Sequence, residues 1–292
     1  MPLSKQSLLG VSITTSSREE ILSWIVKKFS ILHSPFSILQ IVTPNPEQIV
    51  LAQQNEKFRE ILNSADIALP DGAGLVWALN KARPCVAPAA KAGPWIERIS
   101  GIDFMIELCK VAADKNSRVL LYGGRGGAAG KALASLRKQY PDLKGFAEDG
   151  PSFQISNFKF QISNKYQIQK YKKDSTSYFS NGSAEIKHLV QMIRSRNIRI
   201  VFIGLGAPKQ EYLIDALTYT VQGPTLHGIY SNLVVMAVGG VFDVLAGKIA
   251  RAPKLVQQFG FEWLWRLFKE PWRWRRQLSL LQFILLILRK KK

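Results

Sequence analysis

Residues 198–214 read IRIVFIGLGAPKQEYLI, and the order of residue types in them decides the fold class. From Ile198 to Ile203 the chain is apolar and β-branched with little polar alternation, as expected of a strand covered on both faces. Gly204 and Gly206 then allow a tight turn and close backbone approach, and Pro208 suits the first turn of a helix. The same succession of apolar run, turn residues and helical spacing recurs in both directions along the chain. FSILQIV, DIALP, RVLLYGG and LVVMAVGG read as further strands, and helices are expected near 18–29, 46–64, 73–80, 103–116, 126–140, 185–196, 208–217 and 253–268. This alternation predicts a Rossmann-like α/β fold over residues 1–250, with a mostly parallel sheet covered by helices.

Composition sets the outer bounds. A chain of 292 residues, 47% hydrophobic and 21% charged, has enough apolar side chains for a large folded core. Its net charge of +19 calls for an anionic partner: nucleic acid, anionic lipid or a phosphorylated substrate. Cys85 and Cys109 sit in apolar stretches without the paired spacing of a zinc site, and read as buried, reduced thiols. The first twenty residues contain no continuous apolar core, so a secretion signal is not expected. Two stretches break the α/β pattern. Residues 151–182 repeat FQISN and mix aromatics with lysines, as a surface-loop insertion would, and from Arg251 onward the chain becomes basic and rich in tryptophan.

Several strand-to-helix junctions carry residues that could do chemistry, at the edge where open α/β sheets bind ligands. In TPNPEQ, Thr43 closes a strand, while Asn45, Pro46 and Gln48 have the spacing of a capping box. In ALPDGAG, Asp71 can cap the following helix, and a carboxylate at such a cleft is equally placed to act as a general base. In YGGRGGAAGKAL, the turn holding Gly124 and Gly126 could present amides to a phosphate; the Walker pattern is excluded because Arg125 stands where its first glycine belongs. In GLGAPKQE, Gly206 permits close approach, and Lys209 and Gln210 can face whatever binds there.

Absences narrow the chemistry. No Asp-x-Asp occurs to hold a metal against a nucleotide-sugar diphosphate, no G-x-S-x-G elbow suggests a hydrolase, and His33, His188 and His227 are scattered. A nucleotide-dependent oxidoreductase is the alternative, because Gly124, Gly126 and Ala129 fit G-x-G-x-x-A with Glu148 downstream. A nucleic-acid-binding module is disfavoured, since the basic tail runs into the apolar LSLLQFILLIL, which lipid rewards and a nucleic acid does not.

Taken together, TPNPEQIVLAQQN, ADIALPDGAGLVWA, ERISGIDFMIELC, VLLYGG, VFIGLGAPKQEYLI and the run from Ala237 to Arg276 resemble the WecG/TagA/CpsF glycosyltransferases, glycosyltransferase family 26, in the family's order and over nearly the whole chain. The resemblance implies an inverting transferase that moves an N-acetylmannosamine-type sugar from a UDP donor onto undecaprenyl-diphosphate-linked N-acetylglucosamine, in wall teichoic acid or related surface-glycan synthesis. It implies no cofactor and no bound metal. It also implies Asp71 as the catalytic base, Thr43 and Asn45 as donor or sugar-pocket residues, and Arg98 and Gln210 as further pocket groups. Gly124, Gly206 and Lys209 join them as substrate-binding candidates at the glycine turns.

Residues 251–292 are expected to form an amphipathic helical appendage. Arg251, Arg266, Arg273, Arg275 and Arg276, with Trp272 and Trp274, suit an anionic membrane surface or a lipid diphosphate. The apolar segment from Leu278 to Leu288 covers only about 16 Å as a helix, too short to span a bilayer. The resemblance agrees: the family's appendage targets the membrane and helps close the active site. The expected location is cytoplasmic, peripheral on the inner face of the plasma membrane, and a homo-oligomer is compatible with the sequence.

Overall fold

The structure, a computed structural model, describes residues 2–30, 38–82, 95–150, 182–222, 233–258, 260–269, 271 and 274–289. A hairpin opens the chain, with β1 (Lys5–Leu8) antiparallel to β2 (Val11–Thr14). Six further strands make one sheet: β3 (Ile38–Val42), β4 (Ile67–Ala68), β5 (Arg118–Gly123), β6 (Lys144–Glu148), β7 (Ile198–Gly204) and β8 (Leu233–Ala237). Their order is β4-β3-β8-β7-β5-β6 and every pairing is parallel. All C-terminal strand ends therefore meet one edge, which carries Thr43, Asp71, Gly124, Gly206 and the turn at Gly239.

Both faces of the sheet are covered, as the unbroken apolar strands required. Along β8, Leu233, Val235 and Ala237 enter one apolar layer while Val234 and Met236 enter the other. The first layer lies under α2 (Pro46–Gln54), α3 (Glu56–Ser64), α4 (Ala73–Lys81), α7 (Gly182–Ser195) and α8 (Lys209–Gln222), with the β1–β2 hairpin. The second lies under α1 (Arg18–Ser30), α5 (Gly101–Asp114), α6 (Ala128–Gln139) and the short α9 (Val241–Leu245). Cys109 is fully buried there, and burial pushes its thiol up to about 12, so it is inert. Cys85 and the insertion, apart from its last residue, lie outside the described residues.

Several elements differ from expectation. The single helix expected over 46–64 is two, because Asn55 turns to extended backbone: its N–H closes α2 on the Leu51 carbonyl and its side chain accepts from Phe58 N at 2.9 Å to start α3. The helix expected over 253–268 is likewise broken into α10 (Lys254–Gln258) and α11 (Glu262–Lys269), with Gly260 between them at φ 74°. The hairpin escaped notice because Leu9 and Gly10, both at positive φ, make its turn in place of the usual Asn-Gly. The edge strand β6 is only partly buried and lacks a long apolar run.

The last described helix is α12 (Trp274–Arg289), which docks on α2. Phe283 and Ile287 are buried in the same layer as Ile49 and Val50, and Leu280 reaches to 3.3 Å from where a side chain on Gly74 would begin. Leu278, Leu281, Leu285 and Leu288 form a stripe left exposed along the helix. Among the described residues, no helix is long and apolar enough to cross a membrane. Phe283→Ala is expected to lower the unfolding free energy by about 3 kcal/mol, because it leaves a cavity between α12 and α2. Leu281→Ala, on the exposed stripe, should change it by less than about 0.5 kcal/mol. Urea denaturation followed by tryptophan fluorescence measures both.

Candidate active site

Asp71 lies just past β4, and the local backbone explains its orientation. The N-cap of α4 is Gly72, at φ 101° with no side-chain cap bond, so Asp71 does not cap the helix that follows it. It turns instead to the start of α5, where Oδ2 accepts from Gly101 N at 3.4 Å. Gly101 is required by crowding: a side chain there would begin 3.2 Å from Thr43 Cγ2 and 3.5 Å from Asp71 Oδ2. Thr43, Asp71 and the first amide of α5 are thus brought together, with Thr43 Oγ1 donating to the Ala237 carbonyl at 3.3 Å.

Arg98 stands over this group. Its Nη2 lies 3.7 Å from Asp71 Oδ1 and 2.6 Å from Glu262 Oε2 on α11. Burial opposes the guanidinium charge, but Asp71, Glu262 and Asp103 outweigh it and hold Arg98 more firmly protonated than an ordinary arginine. Beside Arg98 opens a cavity of about 740 Å³, lined among others by Trp77, Lys81, Trp95, Ser100 and Gln257. Arg251 is half-buried and pairs with Asp103 at 2.7 Å, so it ties the chain after α9 to the first turn of α5.

A second group holds the loops around the cleft. Asn45 and Gln48 form the expected capping box, with Asn45 Oδ1 accepting from Gln48 N at 3.0 Å and Gln48 Oε1 accepting from Asn45 N at 3.1 Å. Gln48 Nε2 donates onward to Glu211 Oε1 at 2.9 Å, and Gln210 Nε2 donates to the same oxygen at 2.8 Å. Gln210 Oε1 in turn accepts from Gly239 N at 2.9 Å. Gln210 is therefore buried behind the cleft edge and holds its backbone, while Lys209 is half-exposed at the start of α8. Glu211 has no exposed surface, its Oε2 has no hydrogen-bond partner among the described residues, and burial raises its carboxyl to about 7.

The glycine turn after β5 is closed on itself. Gly124 N donates to the Gly204 carbonyl at 2.9 Å, and a side chain on Gly123 would begin 2.7 Å from Gly204, so the ends of β5 and β7 touch backbone to backbone. Gly127 N donates to Asp149 Oδ2 at 2.8 Å, and Lys248 Nζ donates to the carbonyls of Arg125 and Gly126. A carboxylate thus occupies the amide that a pyrophosphate would use, and Glu148 pairs with His188 at 2.9 Å. The oxidoreductase alternative is left without support. Gly206, at φ 76° with open space where a side chain would begin, does offer close approach.

The C-terminal candidates are reached only in part. Trp272 and Arg273 lie outside the described residues, and of Arg266, Trp274, Arg275 and Arg276 only the backbone is described. Sequence reading passed over Glu211 and the pairing of Glu262 with Arg98. The only signals were an acidic residue beside Gln210 on an apolar helix and one of two acids in a basic tail.

A carboxylate at the mouth of an α/β cleft, with a guanidinium and helix-start amides beside it, is the equipment of an enzyme that transfers a group from an activated donor. The chain belongs to the WecG/TagA/CpsF family of glycosyl transferases, whose sequence model matches residues 6–292. Among its relatives, the N-acetylglucosaminyldiphosphoundecaprenol N-acetyl-beta-D-mannosaminyltransferase of Bacillus spizizenii (strain ATCC 23059 / NRRL B-14472 / W23) is 28% identical over 254 residues, 86% of this chain and 79% of that protein. The enzyme of the same name from Bacillus subtilis (strain 168) is 27% identical over 253 residues, 86% of this chain and 80% of that protein.

The buried carboxylate generates a test of the fold around the site. Because Glu211 titrates near 7 when folded and its ordinary value is 4.5, the folded chain keeps a proton that the unfolded chain has released between those values. Its contribution is fully present below the lower value and is lost as pH rises through the upper one. Glu211→Gln cannot titrate, so from pH 5 to pH 8 the stability difference should move in favour of the variant by on the order of 2 kcal/mol. Urea unfolding of both proteins across that range measures it.

Proposed function

We propose that this glycosyltransferase moves N-acetylmannosamine from a UDP donor onto undecaprenyl-diphosphate-linked N-acetylglucosamine, with inversion, in wall teichoic acid or related surface-glycan synthesis. The names of the relatives support the sugar and the acceptor. The observation that carries the mechanism is the setting of Asp71, half-exposed at the C-terminal edge of the sheet, with the Gly101 amide at 3.4 Å and Arg98 at 3.7 Å beside it. A partly exposed carboxylate at such an edge is within reach of a substrate proton. The acceptor hydroxyl oxygen attacks the anomeric carbon as its proton passes to Asp71, and the bond from that carbon to the diphosphate breaks on the opposite face. UDP leaves with the bonding pair. Arg98 and the helix-start amides at the cleft would offset the charge that develops on the diphosphate.

The enzyme works as a peripheral protein on an anionic membrane in this reading. Apart from Trp77 and Trp95, every strongly exposed large apolar side chain among the described residues lies between Leu255 and Leu288, which supports one lipid-facing surface. The basic residues of the same segment add attraction to anionic headgroups.

Asp71→Asn is expected to lower turnover by about 100- to 10,000-fold while leaving UDP affinity nearly unchanged, since the base acts on the acceptor proton. Sugar-transfer assays with a short-chain lipid-diphosphate acceptor, alongside calorimetry with UDP, measure the two; near-normal turnover would remove Asp71 from the role. Leu281→Glu combined with Leu285→Glu is expected to release the protein from anionic vesicles in a flotation assay. The same variant should keep its turnover on a water-soluble acceptor. Undiminished vesicle binding would count against this helix face.

A further inference from the structure

We propose that Glu262, from the C-terminal segment, is a positioning residue that holds the Arg98 guanidinium away from Asp71 and so keeps Asp71 basic. The role rests on the reading of Asp71 as the base. One nitrogen, Arg98 Nη2, serves both carboxylates, but unequally: the 2.6 Å contact to Glu262 is a short charge-assisted hydrogen bond, whereas 3.7 Å to Asp71 is beyond hydrogen-bond range. Were the same nitrogen to close on Asp71, the carboxylate would be stabilised in its charged form and become a weaker base. Glu262 prevents this and leaves the guanidinium at the wall of the cavity, where an anionic group of the substrate can meet it.

Glu262 is built into this position. Its side chain is 11% exposed in the first turn of α11. The turn before it packs on the start of α4, where a side chain on Gly260 would begin 2.6 Å from Ala73 Cβ. Trp265 Nε1, one turn on, donates to the Ala250 carbonyl at 3.4 Å. The α10–α11 corner is therefore seated on the helix that begins directly after Asp71 and Gly72.

Further charges around the pair, among the described residues, come from α1, α4, α5 and the segment after α9. Asp103 of α5 acts on Arg98 and is itself held by Arg251 at 2.7 Å; Arg18 of α1, paired with Glu107 at 3.0 Å, and Lys81 of α4 line the same cavity. Among the described residues, Glu262 and Asp71 are the carboxylates within 4 Å of Arg98, and Glu262 is the nearer. Removing its charge, or letting Arg98 go, shifts Asp71 in one direction, toward a lower pKa.

The test is a carboxyl-carbon NMR titration of the full chain labelled at aspartate Cγ, with the Asp71 signal assigned by its loss in Asp71→Asn. In Glu262→Gln, which can still accept from Arg98 but has no charge, and more so in Glu262→Ala, Asp71 should titrate lower, by up to about 1 pH unit. The acid limb of kcat/KM for sugar transfer should move down with it. The thermal midpoint of Glu262→Gln should stay close to that of the unaltered chain. An Asp71 midpoint that stays put in both variants overturns the proposal, whatever their activity. Absence of sugar transfer by the unaltered chain would instead count against the functional reading, and the titration would still decide what Glu262 does to Asp71.

Discussion

The edge of the sheet is organised around a carboxyl group that has no exposed surface. Glu211 brings an acid into the apolar layer under α8, and the cost of that burial is offset by two amide donors on one of its oxygens, from Gln48 and Gln210. Each amide has a second duty. Gln48 caps α2 and so fixes Asn45, two residues beyond Thr43, while Gln210 fixes Gly239 at the end of β8. The loops that follow β3 and β8 are neighbours because those strands pair, and the shared carboxylate keeps them in register beyond the last ladder bond. On the other side of β8, the ends of β7 and β5 are joined by the contact of Gly204 with Gly123, which no other residue pair could make so closely.

Within this frame, the charges near Asp71 alternate in sign. Glu262, Arg98 and Asp71 form one group, Asp103 and Arg251 another, and Arg18 with Glu107 a third. Three arginines near the cleft, Arg98, Arg251 and Arg18, are thus each paired with an acid in a chain of net charge +19. Pairing makes them costly to remove and keeps their positions defined, at the expense of long-range attraction. The unbalanced positive charge of residues 251–292 lies toward the end of the chain, where attraction to an anionic surface needs no fixed geometry.

The sheet was legible because parallel strands buried on both faces are written as uninterrupted apolar runs, as in Ile198–Ile203 and Leu233–Val238. Thr43 and Asp71 were legible from their strand-to-helix junctions, which share one edge of a parallel sheet, and Arg98 only through family resemblance; the three do converge. What escaped was set by tertiary contact. Asn55 breaks a run that is helical in pattern, because its backbone N–H closes α2 while its side chain accepts from Phe58 N to cap α3. Gln210 looks like a ligand-facing residue beside Lys209, yet the helix start turns it inward to Glu211. Glu262 reads as a stray acid in a basic tail until the α10–α11 corner is folded back over α4, and no local pattern encodes that return.

That return also explains why the last helix cannot be treated as a detachable anchor. One side of α12 shares the apolar layer of α2 through Phe283 and Ile287, and the other presents leucines to the surroundings. Because α2 begins at Asn45 and α4 begins directly after Asp71, a helix packed on both is fixed relative to the cleft. Any surface that accepts the leucine stripe therefore meets the protein in one orientation, with the cleft edge at a set height and tilt. In the function proposed above, where the reacting sugar is tied to a lipid by a diphosphate, reach is then a matter of rigid geometry, and the packing of α12 on the core bears on catalysis as well as on attachment.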